Sequence, residues 1–195
     1  MSHSAPLPSC HNASLPPLTA APHEVFLGGT CGSSTWRKDT IPLLDKANVT
    51  FYNPQLPANE WHEGLIEVER EAREQAEVEL FIIDGSTRGV ASLVEAAALT
   101  ASGKLVVLMI EEIKPDTVID GEAVGLKELK DLNRGRKYLL DVVQQRINSG
   151  YSNVVICDSF QDAALTAANW VLQRRMEAAA AACKKPIPFK RKSSL

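Results

Sequence analysis

The feature that most constrains the fold is the alternation of short apolar runs with longer amphipathic segments. Three largely apolar runs are predicted to be buried strands: Val25–Leu27, Val78–Ile83 and Leu105–Ile110. The first ends at a pair of glycines and the second at Asp84-Gly85, which mark the following loops. Between these runs lie segments with the period of a helix, the longest of which runs from 60 to 77. Strands that alternate with helices of this length form βαβ units, so we predict a parallel sheet covered by helices on both faces.

The remaining elements complete a sheet of about five strands. Two further strands are predicted at 49–52 and 154–157, and further helices at 36–47, 92–102, 133–148 and 160–183. The first of these helices follows possible caps at 33–35, and Gly103 is expected to end the second. Residues 114–133 show no clear period.

Charge and proline divide the chain into three parts. Residues 1–23 carry no Asp, Glu, Lys or Arg and five prolines, which predicts a disordered leader. Residues 24–183 are predicted to form one domain, and 184–195 a basic tail with five Lys or Arg residues. Without that tail the chain has 16 basic and 24 acidic residues, which argues against a nucleic-acid-binding surface.

No cofactor or metal is expected from the motifs. The four cysteines form no Cys-x-x-Cys pair, and no histidine stands at metal-finger spacing. There is no signal-like start and no run long enough to span a membrane. We therefore expect a cytoplasmic protein, with the nucleus as an additional location if the tail acts as an import signal; a tail that only aids solubility is the simpler interpretation.

Candidate ligand-binding residues follow the first three strands, because ligands bind at the carboxyl edge of an open parallel sheet. The loop 28–34 supplies small residues and exposed N–H groups that suit a phosphate or a sugar oxygen. It lacks the third glycine of a dinucleotide fingerprint and the lysine of a P-loop. A tight turn that simply requires glycine is an equally good explanation of the loop alone.

Two carboxylates stand out near this edge. Asp84 ends a strand that should be buried, and Glu95 lies on a helix whose other early residues are small or apolar. A carboxylate in such surroundings needs a partner or a function, because burying it alone is costly. The alternative for Glu95 is a position in the first helical turn that favours the helix dipole.

An ordered set of motifs resembles the nucleoside 2-deoxyribosyltransferase-like family over residues 24–172. The motifs are 25–30 with Trp36-Arg37, Tyr52-Asn53-Pro54, 69–76 leading into 80–83, 89–95, and 131–138. This resemblance implies a flavodoxin-like (Rossmann-like) doubly wound α/β fold. It also implies cleavage or transfer at the N-glycosidic bond of a nucleoside or nucleoside 5′-monophosphate.

The family's Asp-x(4)-Gly-x(n)-Glu pattern falls on Asp84, Gly89 and Glu95. The resemblance implies that Glu95 is the nucleophile, since a carboxylate at the anomeric carbon can form a glycosyl ester. Asp84 would hold a sugar hydroxyl or protonate the departing base. Two positions differ from the family's usual pattern: Thr30-Cys31 replaces a tyrosine, and Ala96 replaces a glycine. Tyr52 is a candidate to replace the missing phenol.

The predicted substrate-binding set surrounds these two carboxylates. It comprises Gly28, Gly29, Thr30, Ser33, Arg37, Asn53, Gly89 and Ser92. Arg37 is expected to join the loop in binding a 5′-phosphate, or else to pair with Asp39 or another surface acid.

Two other functions remain open from the sequence. The chain could be a nucleotide-binding module that has lost turnover, with Thr30-Cys31 as the mark of that loss, or a glycohydrolase of a dinucleotide such as NAD. A homodimer or larger assembly is implied, because members of the family often complete the pocket with a neighbouring subunit. Trp61 and Trp170 are predicted to be core residues of apolar helix faces.

Overall fold

A computed structural model describes residues 23–57 and 60–183. Its centre is a five-stranded, all-parallel sheet in the order β2-β1-β3-β4-β7. The strands are β1 (Val25–Gly29), β2 (Phe51–Tyr52), β3 (Val78–Ile83), β4 (Leu105–Ile110) and β7 (Val154–Ile156). This order confirms the flavodoxin-like doubly wound fold.

Five helices surround the sheet. They are α1 (Trp36–Lys46), α2 (Gly64–Gln75), α3 (Val90–Ser102), α4 (Leu126–Asn148) and α5 (Phe160–Cys183). Helix α3 ends at Gly103 in the left-handed conformation, with φ of 82°, as the sequence predicted.

Two apolar layers hold the helices to the sheet. On one face, Val25, Leu27 and Leu80 pack with Trp36 of α1 and Ala167 of α5. On the other face, the side chains of β3 and β4 pack against α3 and α4, and these residues are Phe81, Ile83, Val106, Leu108, Ala96, Leu99, Leu139 and Val143. All six residues of β3 are buried, because helices cover both faces of a central parallel strand.

Several predicted boundaries differ from the structure. A small antiparallel pair, β5 (Val118–Ile119) and β6 (Glu122–Ala123), lies in the segment that showed no period, and α4 begins seven residues before its predicted start at 133. Asp120-Gly121, with φ of 54° and 83°, turns between these strands. Helix α2 is shorter than the predicted 60–77.

The ends of the chain received separate predictions. The leader through residue 22 and the tail 184–195 lie outside the described residues. His23, which was assigned to the leader, is instead buried, with its Nε2 2.6 Å from the carbonyl oxygen of Ala72. Among the described helices, none is long and apolar enough to cross a membrane.

Candidate functional site

A cavity of about 530 Å³ opens at the carboxyl edge of the sheet. It lies where β1 and β3 end, which is the point at which the chain changes direction across the sheet. Residues after β1 and β2, part of α2 and the first turns of α3 line it. The site is therefore in the position that the fold predicts for a ligand.

Glu95 lies in this cavity, on the second turn of α3. Its carboxylate Oε1 is 3.6 Å from Nη2 of Arg73 on α2, and its side chain is 39% exposed. Arg73 is thus within ion-pair distance of Glu95, and the exposure of the carboxylate leaves it open to a ligand. An accessible carboxylate can act as a nucleophile towards an electrophilic carbon.

Arg73 is held between two acids. Its Nε is 3.7 Å from the carboxylate of Glu79, and its guanidinium carbon lies 4.7 Å from the centre of the Phe26 ring. The Glu79 side chain on β3 is fully buried, and neither of its oxygens has a hydrogen-bond partner among the described residues. Burial raises the pKa of Glu79 to about 8, although Arg73 and Lys104 oppose this.

A second carboxylate, Glu69, lines the same cavity. It lies on α2, one turn before Arg73, and makes no hydrogen bond or ion pair within 4 Å to the described part of the chain. Burial, and then the charge of Glu95, raise the pKa of Glu69. Glu69 belongs to one of the motifs that resemble the family, but its sequence pattern predicted no role for it. A carboxylate on an acidic helix face gave no signal that distinguished it from its solvated neighbours.

Asp84 is close to the cavity but is occupied by hydrogen bonds. One carboxylate oxygen accepts from the Ser34 hydroxyl, and the other accepts from the backbone N–H and hydroxyl of Ser86, at 3.0 and 2.8 Å. The Asp84 side chain thus joins the loop after β1 to the loop after β3. Its oxygens act as acceptors in these contacts, so the geometry favours a positioning role over proton donation.

The glycines of the predicted set serve close packing. A Cβ on Gly28 would come within 2.3 Å of the Phe81 ring, and one on Gly29 within 1.9 Å of the carbonyl oxygen of Ile82. Gly29 and Gly89 line the cavity together with Thr30 and Ser92, whereas Gly28 lies beneath it in the strand. Gly89 precedes α3 with φ of 63°, a left-handed conformation that favours glycine.

Arg37 lies in the interior and is absent from the cavity lining. It is 2% exposed, and its guanidinium donates to the backbone carbonyls of Thr30 and Leu27 at 2.7 and 2.8 Å. Burial lowers the pKa of Arg37. The guanidinium of Arg37 therefore supports the backbone of β1 and its loop. This placement supports neither the expected contact with a phosphate nor the alternative pairing with Asp39.

Three other predicted residues lie outside the lining. Ser33 and Asn53 are exposed, and the Asn53 side chain accepts a hydrogen bond from the backbone N–H of Gln55 at 3.1 Å. The Tyr52 ring stacks on Phe26, with centroids 5.5 Å apart. Burial raises the pKa of Tyr52, and the charge of Glu69 adds to this. Tyr52 therefore neighbours the site without replacing the missing phenol in the lining.

Trp61 was predicted to be a core residue, and the structure corrects this. Trp61 precedes α2 and is 62% exposed, and it lines the cavity with Pro54, Leu56 and Pro57. The sequence pattern placed Trp61 on a helix face that does not extend so far. These residues form an apolar wall of the cavity, and the indole offers a flat surface for an aromatic ring.

Arg136 shapes the site from beneath, and the sequence analysis assigned it no role. It is fully buried in α4, and its guanidinium donates to the carbonyls of Asp84 and Thr87 at 3.3 and 2.9 Å, among others. These bonds fix the loop that leads into α3. Its position in a motif shared with the resembled family was the available signal.

No cluster of three or more His, Cys, Asp or Glu side chains suited to a metal occurs in the described ranges 23–57 and 60–183.

The fold and the site together define a flavodoxin-like α/β protein with a carboxylate-containing cavity at the sheet's switch point. Residues 22–113 match the family described as nucleoside 2-deoxyribosyltransferase like. The matched range runs from β1 to just after β4 and includes Glu69, Asp84 and Glu95. A comparison with curated proteins found no match.

Proposed function

We propose that this protein cleaves the N-glycosidic bond of a nucleoside and passes the sugar to water or to a second base. The observation that carries the proposal is Glu95, an exposed carboxylate beside Arg73 in a cavity with one apolar wall. The base would stack on Trp61, and the sugar would lie near the first turn of α3. The family match supports the same bond as the target.

In the proposed mechanism, a Glu95 oxygen attacks the anomeric carbon as the carbon–nitrogen bond breaks. The glycosyl ester that forms is then attacked by water or by an acceptor base, which releases Glu95. Arg73 pairs with the attacking carboxylate and orients it in the cavity. Asp84 serves this reaction by holding the two loops that line the cavity.

The charges of the cavity favour a nucleoside over its 5′-monophosphate. The described lining contains two glutamates and neither lysine nor arginine. A phosphate there would meet repulsion from Glu69 and Glu95, opposed by the N–H groups of the loop and of α3 and by Arg73, which lies outside the lining. We therefore expect a higher kcat/KM for the nucleoside.

The test is base release from a panel of nucleosides, their 5′-monophosphates and NAD, by wild type and by Glu95→Gln. We expect Glu95→Gln to lose turnover by at least about a thousandfold, because the nucleophile is gone while the helix keeps a residue of good propensity. Glu71→Gln, a change of the same kind at an exposed position of α2, is the control. Labelled acceptor base distinguishes transfer from hydrolysis.

Three outcomes would contradict the proposal. Wild-type turnover by Glu95→Gln would remove Glu95 from the chemistry. Tight binding of a nucleotide without base release would favour the binding-module alternative. Release of nicotinamide from NAD alone would favour a dinucleotide substrate.

We also propose a homodimer or larger assembly. Val90 and Val94 of α3 lie beside the cavity and are 58% and 69% exposed, and a second subunit would cover them. Sedimentation should show an assembly at micromolar concentration, and a monomer at high micromolar concentration would contradict a shared site.

A further inference from the structure

We propose that Glu79 is a positioning residue for Glu95 and acts on it through Arg73. While Glu79 carries a proton, the Arg73 guanidinium pairs with Glu95 and orients it. When Glu79 loses that proton, its carboxylate draws the guanidinium towards β3. This inference rests on the proposed function, in which Glu95 is the nucleophile.

Arg73 lies between two carboxyl groups without a hydrogen bond to either. Its Nη2 is 3.6 Å from Oε1 of Glu95, and its Nε is 3.7 Å from Oε2 of Glu79. The Nε is buried and has no hydrogen-bond partner within the described part of the chain. Because N–H···O bonds form at about 2.9 Å, a shift of less than about 1 Å would turn either contact into a hydrogen bond.

Glu79 is a buried acid that the proposed mechanism does not use. Its side chain on β3 is fully buried, and both of its oxygens lack a hydrogen-bond partner among residues 23–57 and 60–183. The charged groups that face it are Arg73 on α2, Glu95 on α3 and Lys104 just before β4. The Lys104 Nζ is 3.9 Å from Oε1 of Glu79 and also donates to the carbonyl oxygen of Arg73. Glu79 is therefore joined to the cavity only through Arg73.

The protonation state of Glu79 decides how the charge of Arg73 is shared. Burial raises the pKa of Glu79 to about 8, so at neutral pH this carboxyl group holds its proton and the guanidinium pairs with Glu95. An ionised Glu79 attracts the guanidinium in the interior, where water screens the attraction less than it does at the 39% exposed Glu95. The two carboxylates then compete for one cation.

The consequence for the reaction is a loss of orientation at the attacking oxygen. Glu95 must point one oxygen at the anomeric carbon, and small errors in such a geometry are costly to the rate. Neither Glu79 nor Arg73 lines the cavity, so the contacts that bind the substrate remain. Ionisation of Glu79 should therefore lower kcat and leave KM nearly unchanged.

The test compares the pH profiles of wild type and Glu79→Gln on the nucleoside that wild type cleaves fastest. Glutamine has the size of glutamate and represents the protonated form at every pH. We expect equal kcat values within about twofold at pH 6, and a kcat about tenfold higher for Glu79→Gln at pH 9.5, with KM values within about twofold. The ratio of the two proteins at each pH cancels the effect of any group that titrates in both.

Two controls isolate the route through Arg73. Glu71→Gln, at an exposed position of α2, should follow wild type at both pH values. In an Arg73→Met background, Glu79→Gln should change kcat at pH 9.5 by less than about twofold, because the group that transmits the effect is gone. A ratio that stays constant from pH 6 to pH 9.5, a change in KM alone, or the full effect without Arg73 would overturn the positioning role while leaving the proposed function intact.

A second measurement does not depend on turnover. In wild type labelled with carbon-13 at the glutamate carboxyl groups, the Glu95 signal, assigned by its loss in Glu95→Gln, should move in a step centred near pH 8 as Glu79 ionises. Glu79→Gln should lack that step, and the Glu71 signal should show it in neither protein. No step at Glu95 in wild type, or a step that persists in Glu79→Gln, would overturn the proposal. Wild type that releases no base from any substrate would contradict the proposed function instead, and the NMR step would still decide the link between Glu79 and Glu95.

Discussion

At the scale of single residues, the placement of one arginine gives three carboxylates different surroundings. Arg73 faces Glu95 in the cavity and Glu79 in the interior, and Glu69 lies one turn away without an ion pair. Three side chains of the same type thus differ in burial and in the charges beside them. The residue type alone could not reveal this difference, since Glu67, Glu69 and Glu71 look alike in the sequence.

Glu79 gives a prediction about stability and pH. Its pKa in the folded protein is about 8, whereas the unfolded chain has the ordinary value of 4.5, so the folded state keeps a proton that the unfolded state loses. The contribution of this proton to the free energy of unfolding is fully present below pH 4.5, and it is lost as the pH rises towards 8. Arg73, Lys104 and Glu95 are the charged groups that face Glu79, and burial outweighs the attraction of the two cations.

Glu79→Gln removes this titration. Between pH 5 and pH 8, we expect Glu79→Gln to gain about 1 kcal/mol or more in unfolding free energy relative to wild type, since one pKa unit corresponds to about 1.4 kcal/mol. Urea unfolding at both pH values measures the difference. Glu71→Gln should run parallel to wild type, and a difference between Glu79→Gln and wild type that does not change with pH would contradict the assignment.

At the scale of elements, the junction of β1 with its loop sets the shape of the cavity. Gly29 has φ of 106°, and the backbone of β3 passes so close that a side chain has no room. Gly32 in the same loop also has a positive φ, of 69°, but an added Cβ there would meet no atom within 4 Å. A comparison of the two glycines therefore distinguishes the effect of close packing, present only at Gly29, from the effect of a positive φ, present at both.

We expect Gly29→Ala to lower the unfolding free energy by about 3 kcal/mol or more, because strain and a clash with Ile82 combine. Gly32→Ala should cost only about 1 to 2 kcal/mol, the penalty of a left-handed conformation. Denaturant unfolding of both variants gives the comparison. Similar losses would show that β1 and β3 can separate locally.

The elements also show how far the sequence predicts the fold. The strands β3 and β4 and the helix α5 have their predicted bounds, because apolar runs and punctuation mark them clearly. The β5 and β6 pair was missed, although Asp120-Gly121 is a hairpin signal, since strands of two residues have no measurable period. Helix α2 starts at Gly64 and not at the predicted residue 60. The helical pattern of the sequence continues through residues 60–63, which lie before the first turn of the helix.

At the scale of the whole molecule, the sheet order explains why residues far apart in sequence share a cavity. Parallel strands bring the ends of β1, β2 and β3 to one edge, and Glu95, a candidate site residue from the sequence, lines the cavity at that edge. The sequence did not predict that Arg37 is buried or that Trp61 lines the cavity. Those placements depend on packing between elements, which local pattern does not encode.

The most direct test of the central claim is to trap the glycosyl ester. A nucleoside with a 2-fluoro sugar should form an ester that hydrolyses slowly, because the fluorine disfavours the positive charge that develops on the sugar. We predict a mass increase of one fluorinated sugar on the peptide that contains Glu95 in wild type, and none in Glu95→Gln. Turnover of the parent nucleoside without any such adduct, or an adduct that persists in Glu95→Gln, would contradict Glu95 as the nucleophile.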